Sequence, residues 1–252
     1  MTVMLRLLVL FFTFTAPAKA EQIVLGLSHN EVAITANFDG SAILIFGAVK
    51  REAPAPVDQH LGVIITVAGP DMPVTVRRKE RKFGIWVNTD SVTVAVAPSF
   101  YAVATNLPLS EILTQAHDNR ARISINGAIR TYGQPDGYET DFEDALIRIR
   151  QGELLYQTLS DSVLVEDDTL FRTTIKMPAN LTEGDYTAEI YLTRGGEIID
   201  VYATTIPVKK VGLERWLYNL AHENAMIYGL MSLAIAIAAG WSASAIFTVF
   251  RR

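Results

Sequence analysis

The chain has 252 residues, contains no cysteine and carries a formal net charge of −5 at pH 7. Without thiols it is expected to have no disulfide, thiolate metal site, iron–sulfur cluster, cysteine nucleophile or lipidated N-terminal cysteine. The acidic balance argues against nucleic acid as a partner, because a protein that binds the phosphate backbone needs a basic face.

Residues 1–20 have the three-part layout of a secretory signal peptide. A start with one basic residue, Arg6, precedes an apolar run over residues 7–15, and small residues follow at Ala18 and Ala20. This layout predicts export and cleavage after Ala20; an uncleaved N-terminal anchor is the alternative, although the run is short for a membrane span. Since the segment holds two basic and no acidic residues, the mature chain has 20 basic against 27 acidic residues, a formal charge of −7.

The exported segment, residues 21–212, begins with short apolar runs separated by polar, glycine or proline residues. The runs lie at residues 23–27, 31–36, 41–49, 60–68, 74–78, 83–87 and 91–97. Short strands at such regular spacing predict a β-sandwich.

Between about residues 107 and 161 the pattern becomes helical. Residues 108–117 are predicted to form a short helix, and residues 141–159 a longer one. Thr140 and Glu143 have the spacing of a capping box, in which each side chain satisfies a free backbone N–H. We therefore expect a helical excursion within the β-domain.

Strand patterns resume at residues 162–165, 170–177, 185–193 and 198–208. Residues 194–197 predict a tight hairpin turn. Tyr186 follows a glycine–acid turn and is expected to enter the core, as in the closing strands of immunoglobulin-like domains. The predicted fold is mainly β: an immunoglobulin-like β-sandwich, as one domain or two poorly separated ones, with a helical insertion and one C-terminal transmembrane helix.

That helix is predicted at residues 225–250, which carry no charged side chain. Roughly 20 residues at about 1.5 Å each already cross the hydrocarbon of a bilayer. With a cleaved signal peptide, the domain lies outside the cytoplasm, and residues 251–252, both arginine, fall on the cytoplasmic side, as the positive-inside bias prefers.

Small residues recur at every fourth position of this span. They are Ser232, Ala236, Gly240, Ser244 and Thr248. Such a ladder predicts a face against which another helix packs closely, either in a homodimer or in a larger membrane protein.

Residues 213–224 are predicted to form a juxtamembrane interfacial helix that leads into the span. Trp216, Tyr218 and Tyr228 are predicted to bracket the outer membrane interface, where amphipathic rings prefer to lie.

Residues 77–82 place five cations in six positions, beside Phe83 and Trp86. The candidate anion patch consists of Arg77, Arg78, Lys79, Arg81 and Lys82. Such a cluster is able to bind an anion or an acidic lipid headgroup; the alternative is a solvated turn between two strands. Trp86 is expected in the core, because both of its neighbours are apolar.

No metal, cofactor or catalytic residue is predicted. The histidines, His29, His60, His117 and His222, are far apart, and none has the helical spacing of a metal pair. The sequence contains no serine-hydrolase, zinc-protease, P-loop or dinucleotide motif. A carboxylate-pair hydrolase needs no such motif, because its two acids can come from anywhere in the chain.

Three segments resemble a known family. They are Asn-Phe-Asp-Gly at residues 37–40, Ile-Phe-Gly-Ala-Val at residues 45–49 and Arg-Lys-Glu-Arg-Lys-Phe-Gly-Ile-Trp-Val-Asn at residues 78–88. With the closing hairpin and the single C-terminal span, the chain resembles the uncharacterised alphaproteobacterial family of single-span transmembrane proteins over nearly all of its mature length. The resemblance implies a bacterial inner-membrane protein with a periplasmic domain, and it implies no activity, cofactor or catalytic residue.

These observations predict an accessory protein that is not an enzyme. Its expected partner is an integral membrane protein, such as a multi-pass transporter or an envelope complex, or a second copy bound through the transmembrane helix. One alternative is a periplasmic binding module for an anionic ligand or envelope polymer at the basic cluster. A more remote alternative is a carboxylate-dependent envelope hydrolase.

Overall fold

The computed structural model describes residues 21–28, 31–34, 40–51, 60–131, 140–210 and 213–250. The predicted signal peptide, residues 1–20, and the predicted cytoplasmic end, residues 251–252, lie outside the described residues. Strands make up 51% of the structure, which confirms the predicted mainly-β class.

The described strands and helices follow one another in this order along the chain. The strands are β1 (Glu21–Leu27), β2 (Val32–Ile34), β3 (Ser41–Arg51), β4 (Gly62–Ala68), β5 (Asp71–Lys82), β6 (Ile85–Pro98), β7 (Tyr101–Thr105), β8 (Arg130–Thr131), β9 (Tyr156–Leu159), β10 (Leu164–Glu166), β11 (Leu170–Met177), β12 (Gly184–Arg194) and β13 (Glu197–Lys210). The helices are α1 (Leu109–Ile112), α2 (Gln115–Ala121), α3 (Ile125–Ala128), α4 (Thr140–Gly152), α5 (Leu213–Glu223) and α6 (Ala225–Phe250).

These strands form three sheets. The first has the order β1-β3-β11-β10, the second β2-β13-β12-β4-β7-β9 and the third β5-β6-β8. In the second sheet β2 runs parallel to β13, and β9 parallel to β7. An immunoglobulin domain has two antiparallel sheets, whereas this structure has a third sheet and two parallel pairs of strands. The immunoglobulin-like sandwich therefore stays a prediction.

A single hydrophobic core joins the first two sheets. Strand β11 alternates strictly, with Phe171, Ile175 and Met177 buried on one face. Strand β4 is buried over residues 62–67, since it is flanked by β12 and β7 and sends side chains from both faces into covered space. Alternation therefore marks a strand with one wet face, and a continuous apolar run marks the central strand.

The hairpin of β5 and β6 is longer than predicted. Residues 83–87 and 91–97 were expected as two strands, whereas β6 is continuous from Ile85 to Pro98, and Phe83 and Gly84 form the turn before it. The polar residues Thr89 and Asp90 fall between the two predicted runs, and a shift of register beside Arg78 and Lys79 keeps them within the strand. Polar side chains do not end a strand whose outer part faces solvent on both sides.

The longer predicted helix ends early. Helix α4 stops at Gly152, and residues 156–159 form β9 instead. Glu143 accepts a hydrogen bond from the Thr131 hydroxyl at 2.6 Å, so its side chain is engaged by β8 rather than by a capping box. The shorter predicted helix is divided into α1 and α2.

Tyr186 lies fully buried in the core, as predicted. Its hydroxyl donates a 2.8 Å hydrogen bond to the Thr182 carbonyl, and its ring lies 6.1 Å from that of Phe100. The predicted turn that follows β12 is also present. Gly195 and Gly196 both have positive φ, which is the backbone conformation that a two-residue hairpin turn requires.

A buried ionic network ties the first strand to the second sheet. Glu21 Oε2 and Oε1 accept hydrogen bonds from Arg194 Nε at 3.1 Å and Nη2 at 2.8 Å. Oε1 also accepts one from Arg51 Nε at 2.9 Å, and Asp200 Oδ2 accepts the Ile23 N–H at 3.0 Å. The start of β1 is therefore fixed by charge-assisted contacts to both sheets.

This network predicts a stability that depends on pH. Burial raises the pKa of the Glu21 carboxyl, but the hydrogen bonds and charges of Arg194 and Arg51 outweigh it and hold the pKa below its ordinary value of 4.5. A depressed pKa contributes stability that is fully present above the unfolded pKa and is lost as the pH falls through the folded pKa. We expect the urea midpoint to fall below about pH 4.5.

The side chain introduced by Glu21→Gln cannot titrate. The acid limb of the pH profile, which is the fall of the urea midpoint at low pH, should therefore be shallower in this variant than in wild type. Urea midpoints of wild type and Glu21→Gln between pH 7 and pH 3 measure the difference in slope. Glu166→Gln is the control, because Glu166 pairs with Arg172 at an exposed position of the same sheet. An acid limb as steep in Glu21→Gln as in wild type would contradict the prediction.

Candidate functional site

Helix α6 is the feature of the structure that suits a membrane. It has 26 residues, and none of them is charged. Its segment Ala225–Ser244 is long and apolar enough to cross a bilayer and is not buried against any other described part of the chain. A span needs about 20 apolar residues, so α6 fits a single-pass membrane protein.

The predicted ladder of small residues lies on this helix. Ser232, Ala236, Gly240 and Ser244 are among the described side chains, and Thr248's side chain lies outside them. Four residues advance an α-helix by about 400°, or about 40° beyond a full turn, so the ladder winds slowly around α6. A Cβ built on Gly240 meets no atom within 4 Å. Helix packing along the ladder stays a prediction.

Helix α5 occupies the segment predicted as juxtamembrane. Trp216, Tyr218 and Tyr228 are all exposed on α5 and the first turn of α6. The Tyr218 ring stacks on that of His222 with centroids 4.0 Å apart. The described part of the chain leaves all three side chains partly exposed, and their role as interface anchors stays a prediction.

The candidate anion patch lies on one strand of the β5–β6 hairpin. All five cations belong to β5, and residues 77–82 are exposed throughout. The turn itself consists of Phe83 and Gly84. The cations therefore belong to a strand rather than to the turn, and all five are exposed to solvent. Binding of an anion by this patch stays a prediction.

Arg78 is set apart from the other cations. Its Nη2 donates a 2.9 Å hydrogen bond to Asp141 Oδ2, and its guanidinium lies 4.9 Å from the centroid of the Phe142 ring. Both partners belong to α4, so Arg78 joins the hairpin to the body of the domain. It is already neutralised and is a poor candidate for an anion ligand.

The end of the hairpin carries large apolar side chains. Phe83 is fully exposed, and Ile85 and Trp86 are 65% and 68% exposed. The prediction that Trp86 lies in the core is wrong, because this part of the two-stranded hairpin has no third layer to cover either face. The sequence signal was the Phe-Gly pair at residues 83–84, since glycine suits the positive φ of a hairpin turn.

Cross-strand pairing distributes charge and apolar surface over both faces of this end. Lys82 lies opposite Ile85, and Arg81 lies opposite Trp86. Directly opposite residues share a face of the sheet, and successive pairs alternate between faces. Each face therefore presents one cation beside one apolar side chain.

An apolar surface on the first sheet was not predicted. Leu44, Phe46, Leu164 and Leu170 are exposed on its outer face and line a shallow cavity of about 380 Å³. The signal in the sequence was the unbroken apolar run of β3, in which buried Ile43 and Ile45 leave the intervening residues to face outward.

Of the four histidines, His29 lies outside the described residues. In the part of the chain that the structure describes, no three His, Asp or Glu side chains are placed to hold a metal ion.

A family model matches most of the chain. The family described as "Putative transmembrane protein (Alph_Pro_TM)" matches residues 22–249, which include all of the described β-strands except the first residue of β1 and nearly all of α6. No curated protein matches the chain. The matched range covers most of the chain and includes the candidate membrane span Ala225–Ser244. The chain therefore belongs to this alphaproteobacterial family of transmembrane proteins.

Proposed function

We propose that the protein is a membrane-anchored accessory protein without catalytic activity. Its β-domain would lie in the periplasm, and α6 would cross the bacterial inner membrane with the C-terminus in the cytoplasm. The partner would be an integral membrane protein, such as a multi-pass transporter or an envelope complex. The observation that carries the proposal is α6 itself, an uncharged helix of 26 residues that no other described part of the chain buries.

The ladder on α6 would supply the lateral contact. Small residues allow the backbones of two helices to approach each other closely. Because the ladder winds about 40° around α6 with each small residue, it suits a partner helix that crosses α6 at an angle rather than lying parallel to it. Gly240 lies in the middle of the ladder, where the backbone of a partner helix would come closest. The β-domain would then supply specificity outside the bilayer.

Gly240→Leu tests this mechanism. A leucine at this position has open space within its own chain, so the domain and α6 should stay folded while the added side chain keeps the partner helix away. We expect recovery of a multi-pass partner, measured by mass spectrometry after pull-down of tagged full-length protein in mild detergent, to fall about tenfold, the equivalent of about 1.4 kcal/mol.

The matched control is Ala238→Leu, which adds a similar side chain about 160° away around the helix. Its recovery of the partner should equal that of wild type. Equal recovery with Gly240→Leu and wild type would contradict the proposed contact.

A periplasmic binding module for an anionic ligand or envelope polymer is the second candidate. The exposed cations of β5 support it, although Arg78 is engaged by Asp141 and the remaining cations point to alternate faces of the hairpin. It differs from the first candidate in that it needs no partner for α6. No observation on the described residues favours the carboxylate-dependent hydrolase.

A further inference from the structure

We propose that the tip of the β5–β6 hairpin, residues 79–88, inserts into the headgroup region of an anionic phospholipid bilayer, the same membrane that α6 crosses. The inference requires α6 in a membrane and is independent of any partner of α6. It gives the hairpin a function of its own, which is to hold the β-domain against the lipid surface.

The tip projects beyond the body of the domain. Arg78 is the residue that joins the hairpin to α4, and pairing continues for four more residues to Lys82. At about 3.3 Å per residue this extension is about 13 Å long. The turn residues Phe83 and Gly84 have φ of 51° and 87°, which gives the tight two-residue turn that makes the tip narrow.

The side chains of the tip suit the boundary between headgroups and acyl chains. Phe83 lies at the apex, and Ile85 and Trp86 follow, all of them exposed. Aromatic rings concentrate at that boundary. Behind the apex lie three cations, Lys79, Arg81 and Lys82, and one acid, Glu80, whose carboxylate is 3.8 Å from the Lys82 ammonium. The tip is therefore cationic in a chain with a net charge of −5.

The arrangement on two faces favours a bilayer over a small soluble anion. An anion in solution contacts one face of a two-stranded ribbon and gains nothing from the apolar side chains. A bilayer surrounds an inserted tip, so that Lys82 with Ile85 on one face and Arg81 with Trp86 on the other are satisfied together. The long cationic side chains can extend back to the phosphates while the rings lie deeper.

The tether makes this contact easier to form. Because α6 and the hairpin belong to one chain, docking of the tip is intramolecular and proceeds at a high effective lipid concentration. A modest number of cations and rings is then sufficient for stable contact. Each cation near an anionic surface changes the equilibrium about fivefold.

The absence of cysteine from the chain allows a single-site probe. Full-length Phe83→Cys carries an NBD fluorophore, which replaces one aromatic ring by another, in nanodiscs of phosphatidylcholine alone or with an equal amount of phosphatidylglycerol. Leu154→Cys, at an exposed position of the body, is the control site. We expect blue-shifted emission that nitroxide-labelled lipids quench, only at position 83 and only in the anionic discs.

Arg81→Glu with Lys82→Glu should lower the equilibrium constant for insertion about 25-fold or more. The matched control, Lys50→Glu with Lys176→Glu, makes the same change of charge at exposed positions of the first sheet and should leave insertion unchanged. A salt titration of the otherwise unaltered Phe83→Cys protein checks the same electrostatic contribution without the charge variants, since salt screens the attraction.

Several results would overturn the proposal. They are equal insertion in neutral discs, identical emission at positions 83 and 154, and a blue shift that lipid quenchers do not affect, which would place the tip against protein. Insertion is measured with purified protein in defined lipid, where no partner protein is present. Failure of the tip to insert is therefore distinguishable from loss of a partner of α6, which the Gly240→Leu pull-down measures.

Discussion

Glu21→Ala is expected to lower the free energy of unfolding by about 3–5 kcal/mol, because it removes one member of a buried ionic network and leaves the others in place. Glu21 and Arg194 are both buried, and their side chains are joined by two hydrogen bonds. Arg51 adds the third. Without the carboxylate, the Arg194 guanidinium loses both of these bonds at a site where water does not replace them.

The control is Glu166→Ala on the same sheet. Glu166 pairs with Arg172 at 3.1 Å, and both side chains are 59% exposed, so the cost should lie between about 0 and 1 kcal/mol. Urea unfolding of the full chain in detergent, followed by far-UV circular dichroism, gives both values. Equal losses in the two variants would show that the buried network contributes no more than an exposed pair.

Tyr186→Ala is the second large effect, with an expected loss of about 3–5 kcal/mol. The side chain is fully buried and packs against Phe100. A Cβ added to Gly69 would come within 2.9 Å of the Tyr186 ring, which shows how closely the connection between β4 and β5 approaches that ring. Truncation leaves a cavity that these neighbours cannot fill.

Tyr186→Phe separates the ring from the hydroxyl. It keeps the packing and removes the 2.8 Å hydrogen bond to the Thr182 carbonyl, so the loss should be about 1–3 kcal/mol. Tyr202→Ala is the control, since Tyr202 is exposed on the adjacent strand opposite Ile190; its cost should be below about 1 kcal/mol. A Tyr186→Ala value no larger than that of Tyr202→Ala would refute the assignment of Tyr186 to the core.

The variants at the hairpin tip and the variants at Glu21 test different properties of this molecule. The charge reversal at Arg81 and Lys82 changes exposed residues of the hairpin tip and should leave the urea midpoint of the domain unchanged. Glu21→Ala should weaken the domain without changing α6. The two sets of variants thus separate loss of fold from loss of surface contact.

The sequence alone determined the features that depend on neighbouring residues. The predicted span at residues 225–250 coincides with α6, because an uncharged run of that length is defined by its own composition. The predicted strand at residues 170–177 coincides with β11, since its alternation records one buried face. The turn between β12 and β13 follows from its two glycines.

Only the tertiary structure decided features that depend on distant residues. Glu21 meets Arg194 across 173 positions of sequence, and no local pattern indicates that pairing. Trp86 has apolar neighbours yet lies exposed, because the sheet to which it belongs has two strands at that point and nothing above them. Composition specifies which side chains are apolar, whereas burial depends on which layers of structure the chain brings together. For this reason the sequence placed Trp86 in the core, while the tertiary structure places it on the exposed hairpin tip that we propose enters the membrane.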